Sequence, residues 1–390
     1  MLTARSQFSF HVSIASDYVL YVTQAKQVPK RKSRENIAPV KNRRAKCPPR
    51  PKLRAPGAAA AAAYVTIPRM DFPALDLARF EAASPAERRA IGGEIDAVCR
   101  ATGFLNLINH GVPETTIAAL WSKSEAFFAL PEEVKRVARA PYPGYPYGYL
   151  PPLAEALARS KGVESPPDLK ESFNGGPEHA PPGLGDPDAL AFCYAATIWP
   201  AALDGFKEAW LGYYRTMEAL AARVMRVFAV ALGLPEDHFA PYIDAPISAL
   251  RALNYPALGR PPAPGQIRAG AHTDYGSLTI LLPQTGSRGL QIFSAGAWME
   301  VPPAPGAFVV NIGDLMARWT NDRWVSTLHR VVIPEDGGAE RRQSLAFFHQ
   351  PNWSALIETL PVCLAPGESP KYACVRSGPY LMSKFRSTAM

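Results

Sequence analysis

The feature that most limits how this chain can fold lies between residues 247 and 350. There, short runs rich in Leu, Ile, Val and Phe recur every 8–15 residues, at 249–255, 277–282, 289–293, 307–311, 328–333 and 344–349, separated by Gly and Pro. Short apolar runs punctuated by turn residues are the pattern of a sandwich or barrel of short strands. The 40 prolines and 28 glycines among 390 residues fit a chain with many turns, and a hydrophobic content of 47% suffices for a large core.

The preceding region, 65–245, reads as mostly helical. Ser84-Pro85-Ala86-Glu87 forms a capping box with proline at the first helical position, which predicts a helix to about Ala101, stopped by Gly103. Phe104–Ile108 then reads as a strand ended by Asn109-His110-Gly111, and a second helix covers about 114–129. A long amphipathic helix covers about 203–232 and stops at Gly233-Leu234-Pro235. These boundaries divide the chain into a basic extension (1–64), a helical region (65–245), a strand-rich domain (246–355) and a C-terminal tail (356–390), with 351–390 expected to be loop-rich.

Charge is unevenly placed. The chain carries 42 Lys/Arg and 34 Asp/Glu, a net +8, but residues 1–63 hold 13 of the basic and only 2 of the acidic ones. The extension therefore carries +11 and the remainder −3, so the body has no broad positive field of the kind nucleic-acid binding needs. The extension contains Lys30-Arg31-Lys32, Arg43-Arg44, prolines within 48–51 and the alanine run 58–63, and is expected to be disordered. A basic arm, a transit peptide, or an over-extended reading frame whose true start is near Val65 or Met70 would each give this composition. The cysteines Cys47, Cys99, Cys193, Cys363 and Cys374 are scattered, odd in number and without a CxxC pair, which fits a reducing cytoplasm. No apolar run reaches 18 residues, so no membrane span is expected, and the charge of the body leads to no expected nucleic-acid partner.

The chemistry is carried by Ala271-His272-Thr273-Asp274 and by His329, 55 positions after Asp274 at the start of the apolar run Leu328–Val332. On an extended strand positions i and i+2 share a face, so His272 and Asp274 can meet one ion. Two imidazoles and one carboxylate on one side of a metal leave positions open for oxygen and a co-substrate, which suits ferrous iron, although other divalent metals accept the same donors. A lone His-x-Asp also arises by chance or as a turn cap.

Several further stretches stand in order around this core: Gly103-Phe104, Asn109-His110-Gly111, Asn254-Tyr255, Ser277–Leu281, Gly289-Leu290-Gln291, Trp298 with Val301-Pro302-Pro303, Asn311-Ile312-Gly313-Asp314, and Arg342-Gln343-Ser344. Together with His272-Thr273-Asp274 and His329-Arg330-Val331, they make residues 65–355 resemble the isopenicillin N synthase-like branch of the iron(II)/2-oxoglutarate-dependent dioxygenases. The resemblance implies a mainly β fold with flanking helices around a double-stranded β-helix, a jelly roll. It implies iron(II) on His272, Asp274 and His329, with 2-oxoglutarate and O2 as co-substrates and ascorbate as an optional reductant. Arg342 would take the distal carboxylate of 2-oxoglutarate, assisted by Ser344, with Tyr255 and Asn254 also at the co-substrate. The expected activity is hydroxylation or desaturation of a small molecule with release of succinate and CO2.

Two alternatives stand beside that reading: an oxidase of the same fold that does not use 2-oxoglutarate, and a non-catalytic binding protein on the same scaffold. The stretches Gly144–Tyr149 and Lys170–Phe173 are expected either to line the substrate pocket or to clasp the barrel. His110, His349 and Asp314 are expected to be structural.

Overall fold

The computed structural model describes residues 72–259, 261–334 and 340–386. The readings made for residues 1–64, including the alternative start sites, lie outside them. In chain order the elements are β1 (Ala74–Asp76), α1 (Leu77–Ala82), α2 (Pro85–Ala101), β2 (Phe104–Ile108), α3 (Glu114–Ala129), α4 (Glu132–Lys135), β3 (Gly148–Leu150), β4 (Glu171–Gly175), α5 (Pro187–Phe192) and α6 (Phe206–Ala231). There follow β5 (Ala249–Tyr255), β6 (Ala269–His272), β7 (Leu278–Pro283), β8 (Leu290–Ser294), β9 (Ala297–Glu300), β10 (Phe308–Ile312), α7 (Asp314–Trp319), β11 (His329–Val331) and β12 (Arg342–His349). The chain closes with β13 (Leu356–Ile357), β14 (Val375–Arg376) and α8 (Ser377–Arg386).

The helices begin and end for local reasons visible in the sequence. Ser84 accepts the N–H of Glu87 and the Glu87 carboxylate accepts the N–H of Ser84, so both halves of the α2 capping box are made. Gly103 ends that helix with φ +62°, and a Cβ there would collide with the Val325 carbonyl, so this turn excludes every larger residue. Along α6 the buried positions Trp210, Tyr213, Tyr214, Met217, Leu220, Ala221, Val224, Val227 and Phe228 recur every three or four residues. That stripe packs α6 against α2, α3 and the outer face of a large sheet, where Tyr214 meets Phe347 edge-on at 5.4 Å.

The strands form two main sheets. The larger has eight, ordered β1-β2-β10-β7-β12-β5-β4-β3, and the smaller has four, ordered β6-β11-β8-β9. Leu253, Tyr255, Val309 and Ala346 of the larger sheet and Ala269, Leu290, Ile292 and Val331 of the smaller form one apolar cluster. The other face of the large sheet, with Leu278, Ile280, Val310, Leu345 and Phe347, joins the helices in a separate, bigger core. This is the jelly roll expected, with the site between its two sheets.

Two features depart from the expectation. β3 and β4, within the region read as mostly helical, extend the large sheet; the polar residues of β4 hide its strand pattern, and its one charged residue, Glu171, is paired in the interior. Glu171 of β4 accepts from Lys135 Nζ at 2.7 Å, Tyr149 Oη of β3 at 2.5 Å and Asn254 Nδ2 at 2.7 Å. Phe173 of β4 sits in a nest of rings, within 5.0 Å of Phe206 and Trp210 and 5.3 Å of Phe127. Finally, the tail read as loop-rich ends in α8.

Replacing fully buried Phe173 by Ala should lower unfolding stability by about 3–5 kcal/mol, whereas Ser84→Ala, which loses only the α2 cap, should cost about 1 kcal/mol. Denaturant unfolding followed by circular dichroism measures both; equal losses would contradict the packing described for β4.

Candidate metal centre

β6 and β11 pair antiparallel with His272 directly opposite His329, which brings the two imidazole centroids to 4.3 Å. β6 ends at His272, so Asp274 lies just past the strand rather than on it, contrary to the simple i, i+2 expectation. It is placed instead by the turn into β7, where its carbonyl accepts the N–H of Asp314 at 2.7 Å. One donor atom from each of His272, Asp274 and His329 lies within 4.8 Å of the others, the one such group of three or more among the described residues.

The remaining atoms of these side chains are committed elsewhere, which fixes what they present to the centre. His272 Nδ1 is 2.7 Å from the Gly270 carbonyl and His329 Nδ1 is 3.0 Å from the Thr327 carbonyl. Each Nδ1 therefore carries the hydrogen, and each Nε2 turns a lone pair inward, 3.9 and 3.6 Å from Asp274 Oδ1. Asp274 Oδ2 accepts from Thr279 Oγ1 at 2.6 Å and Asn311 Nδ2 at 2.7 Å, leaving Oδ1 to face the imidazoles. Burial, followed by the neighbouring His329, holds the His272 imidazole down to about 3, so it stays neutral. Burial alone would raise the Asp274 carboxyl, but the two histidines and its two hydrogen bonds outweigh it and keep it below the usual carboxylate range. Two imidazole lone pairs and a carboxylate oxygen converging on one space fit a divalent cation.

The cavity that holds this cluster is walled by residues of both sheets, with Tyr255, Arg342 and Ser344 on the large one. Arg342 is buried; its Nε donates to Ser287 Oγ at 3.2 Å, and its guanidinium lies 4.9 Å from the Tyr255 ring centroid. Its Nη1 is buried without a hydrogen-bond partner. An orphaned guanidinium N–H beside a serine and a tyrosine is what a carboxylate would satisfy. Arg341 points the other way, its Nε donating to Asn254 Oδ1 at 2.5 Å.

Asn254 corrects the expectation that it reaches the co-substrate. It shares its strand with Tyr255, and successive strand residues face opposite sides, so with Tyr255 in the cavity Asn254 is turned to Glu171 and Arg341. Of the 144–149 loop, Pro146 and Tyr147 line the cavity, whereas Tyr149 is bonded to Glu171 and Glu132 in the opposite layer, so the stretch both lines and clasps. Within Lys170–Phe173 the side chains serve packing and ion pairs. His110 stays at its turn, bonded to the Gly306 carbonyl, His349 is paired with Ser277, and Asp314 accepts from Ser326 and Lys384.

Thr279 and Asn311, which fix the Asp274 carboxylate, lie in stretches quoted for the resemblance, yet nothing in those stretches marks their own chemistry. Leu381 and Phe385 of α8 also line the cavity, and Phe385 meets Phe192 edge-on at 5.1 Å. Their spacing of four is visible in the sequence, but Gly378-Pro379 just before them reads as a loop.

Residues 247–351 match the 2OG-Fe(II) oxygenase superfamily, and residues 72–202 match the N-terminal region described as non-haem dioxygenase in morphine synthesis. The 2-oxoglutarate-Fe(II) type oxidoreductase hxnY of Emericella nidulans is 32% identical over 310 residues, 77% of this chain and 85% of that protein. Validamycin A dioxygenase of Streptomyces hygroscopicus subsp. limoneus is 32% identical over 80% of this chain and 85% of its own length. Among solved structures, a full-length Neurospora crassa protein in complex with alpha-KG superposes with a TM-score of 0.72 at 32% identity, covering 81% of this chain and 96% of that one. The same protein with alpha-KG and thymine superposes with a TM-score of 0.70 at 31% identity over the same shares.

Asn311→Ala would release Asp274 Oδ2 and let the carboxylate rotate. It should weaken binding of a divalent metal about 10- to 100-fold, measured by equilibrium dialysis; unchanged affinity would show that Asn311 does not orient this group.

Proposed function

This chain belongs to the iron(II)- and 2-oxoglutarate-dependent oxygenase superfamily, and on that premise we propose that His272, Asp274 and His329 hold its iron while Arg342 receives the distal carboxylate of 2-oxoglutarate. The enzyme oxidises a small-molecule substrate and releases succinate and CO2. Iron(II) with bound 2-oxoglutarate supplies the oxidising power, one atom of O2 entering succinate.

The observation that carries the residue roles is a convergence within one cavity. The two Nε2 atoms and Asp274 Oδ1 face each other, and the unpaired Nη1 of Arg342 opens on the same space. The protein's own residues have distinct tasks there. The Gly270 and Thr327 carbonyls keep both imidazoles in the tautomer that can bind metal. Thr279 and Asn311 prevent Asp274 from turning its second oxygen inward. Ser287 fixes the Arg342 fork, and Ser344, two residues along the same strand face, offers a hydroxyl to the same carboxylate. Phe104 lies edge-on to His329 at 5.4 Å and, with Leu290 and Val331, gives this side of the site an apolar wall.

The outcome at the substrate is hydroxylation or desaturation of a C–H position. A cytoplasmic setting is the reading that the free thiols Cys99, Cys193, Cys363 and Cys374 support.

Anaerobically iron-loaded protein, given 2-oxoglutarate, ascorbate and then air, should release succinate slowly, and His272→Ala should abolish this. Arg342→Ala should raise the KM for 2-oxoglutarate about 10- to 100-fold, since a charged hydrogen bond contributes roughly 1.5–3 kcal/mol. If iron-loaded wild type neither released succinate nor bound 2-oxoglutarate in calorimetry, the residue roles would be wrong.

A further inference from the structure

A second arginine faces the same cavity. β5 and β12 run side by side along one wall, and their register places Arg342 opposite Tyr255, Ser344 opposite Leu253 and Ala346 opposite Arg251. All six line the cavity. The first two pairs form the co-substrate end proposed above. Arg251 is four residues from Tyr255, roughly 13 Å along the strand, and its cross-strand neighbours are Ala346 of β12, which leaves room for the guanidinium, and Asn174 of β4.

The surroundings of Arg251 differ from those of a structural ion pair. Its Nη1 donates to Glu155 Oε2 at 3.1 Å, and its other N–H groups meet no hydrogen-bond acceptor among the described residues. Its side chain is 16% exposed. Glu155 Oε2 also accepts from Lys170 Nζ at 3.1 Å, and Lys170 in turn bonds Asp168 at 2.7 Å, both of those side chains being 2% exposed. Arg251 and Lys170 outweigh the burial that would raise Glu155 and bring its carboxyl down to about 2, so it is ionised throughout the working range. The four charges cancel, and the inner pair is fully used. Of these four groups, Arg251 turns unfilled donors toward the part of the cavity whose wall includes Phe192, Leu381 and Phe385.

The far end of this chain of pairs reaches the metal centre. Asp168 Oδ1 accepts the N–H of Gly270 at 2.9 Å, and the Gly270 carbonyl accepts from His272 Nδ1 at 2.7 Å. The array that holds Arg251 is therefore anchored on the strand that orients a metal ligand, which fixes the distance between a group bound at Arg251 and the reacting position.

We infer that Arg251 is the specificity-determining residue of the substrate site, and that the substrate is a carboxylate carried on an otherwise apolar body. This rests on the reading that Arg342, not Arg251, takes 2-oxoglutarate. A planar guanidinium with free N–H groups matches a carboxylate in two-point geometry. A neutral analogue without an acceptor would strip water from those donors and leave them unpaired, which such sites reject strongly. An amine would meet the cation itself, and the anion beside it, Glu155, is already shared by Lys170 and Arg251.

The test uses full-length protein loaded with manganese(II) and 2-oxoglutarate. The probes are straight-chain monocarboxylates from butyrate to decanoate and 3-phenylpropionate, each beside its primary alcohol and primary amine. Calorimetry gives affinities, and stimulated succinate release by the iron form gives the second readout. An acid in the series should bind tenfold or more tightly than its alcohol and stimulate release. Arg251→Gln should bring that preference below about threefold, and Arg251→Lys should keep part of it. The wild-type comparison stands by itself if Arg251→Gln does not fold. Acids no better than alcohols across the series, amines preferred, or a preference that survives in a folded Arg251→Gln would each overturn the inference. Basal succinate release by wild type that is lost in His272→Ala, seen without any acid preference, would sink this inference alone. Absent basal release together with absent 2-oxoglutarate binding would sink the underlying assignment as well.

Discussion

The direct opposition of His272 and His329 across the β6–β11 pair is the constraint on which the rest depends. Antiparallel register puts two side chains from positions far apart in the chain on one face, and the hydrogen bonds of two backbone carbonyls then decide which nitrogen each presents. Asp274 joins them only because the chain turns after His272, and two polar side chains of the large sheet, Thr279 and Asn311, reach across to hold it. The centre is thus built by both sheets, and it requires their correct packing before its donors converge.

The large sheet has a division of labour by face. On β12, Leu345 and Phe347 belong to the helix-side core, while Arg342, Ser344, Ala346 and Phe348 face the cavity. Period-two alternation therefore lets one eight-residue strand serve both stability and chemistry. The same rule explains why neighbouring arginines do unlike things, Arg342 turning to the cavity and Arg341 to Asn254 and Glu125. The helix α6 lies behind this sheet and holds it from the side away from the chemistry.

Much of this is legible in the sequence because it is written in apolar spacing. The strand runs at 249–255 and 344–349 and the helices beginning at Pro85 and Phe206 carry clear periodicity, and His329 stands at the start of such a run. β3 and β4 are illegible because Glu171 and Asn174 read as surface residues, when in fact Lys135 and its partners neutralise the interior charge. β6, Ala-Gly-Ala-His, has too little bulk to register as a strand. Asn254 is misplaced by the resemblance although the alternation that excludes it is present in the sequence: adjacent strand residues cannot share a face. Arg251 and Glu155 are invisible as a pair because 96 positions separate them.

The helix α8 completes the cavity with Leu381 and Phe385, held there by Lys384 on Asp314 and by the close seat of Gly378 on Trp353. Phe385 follows His329 by 56 positions. The enclosure and the donors are thus separate stretches of chain, so losing α8 would open the cavity while all three metal donors stayed in the chain.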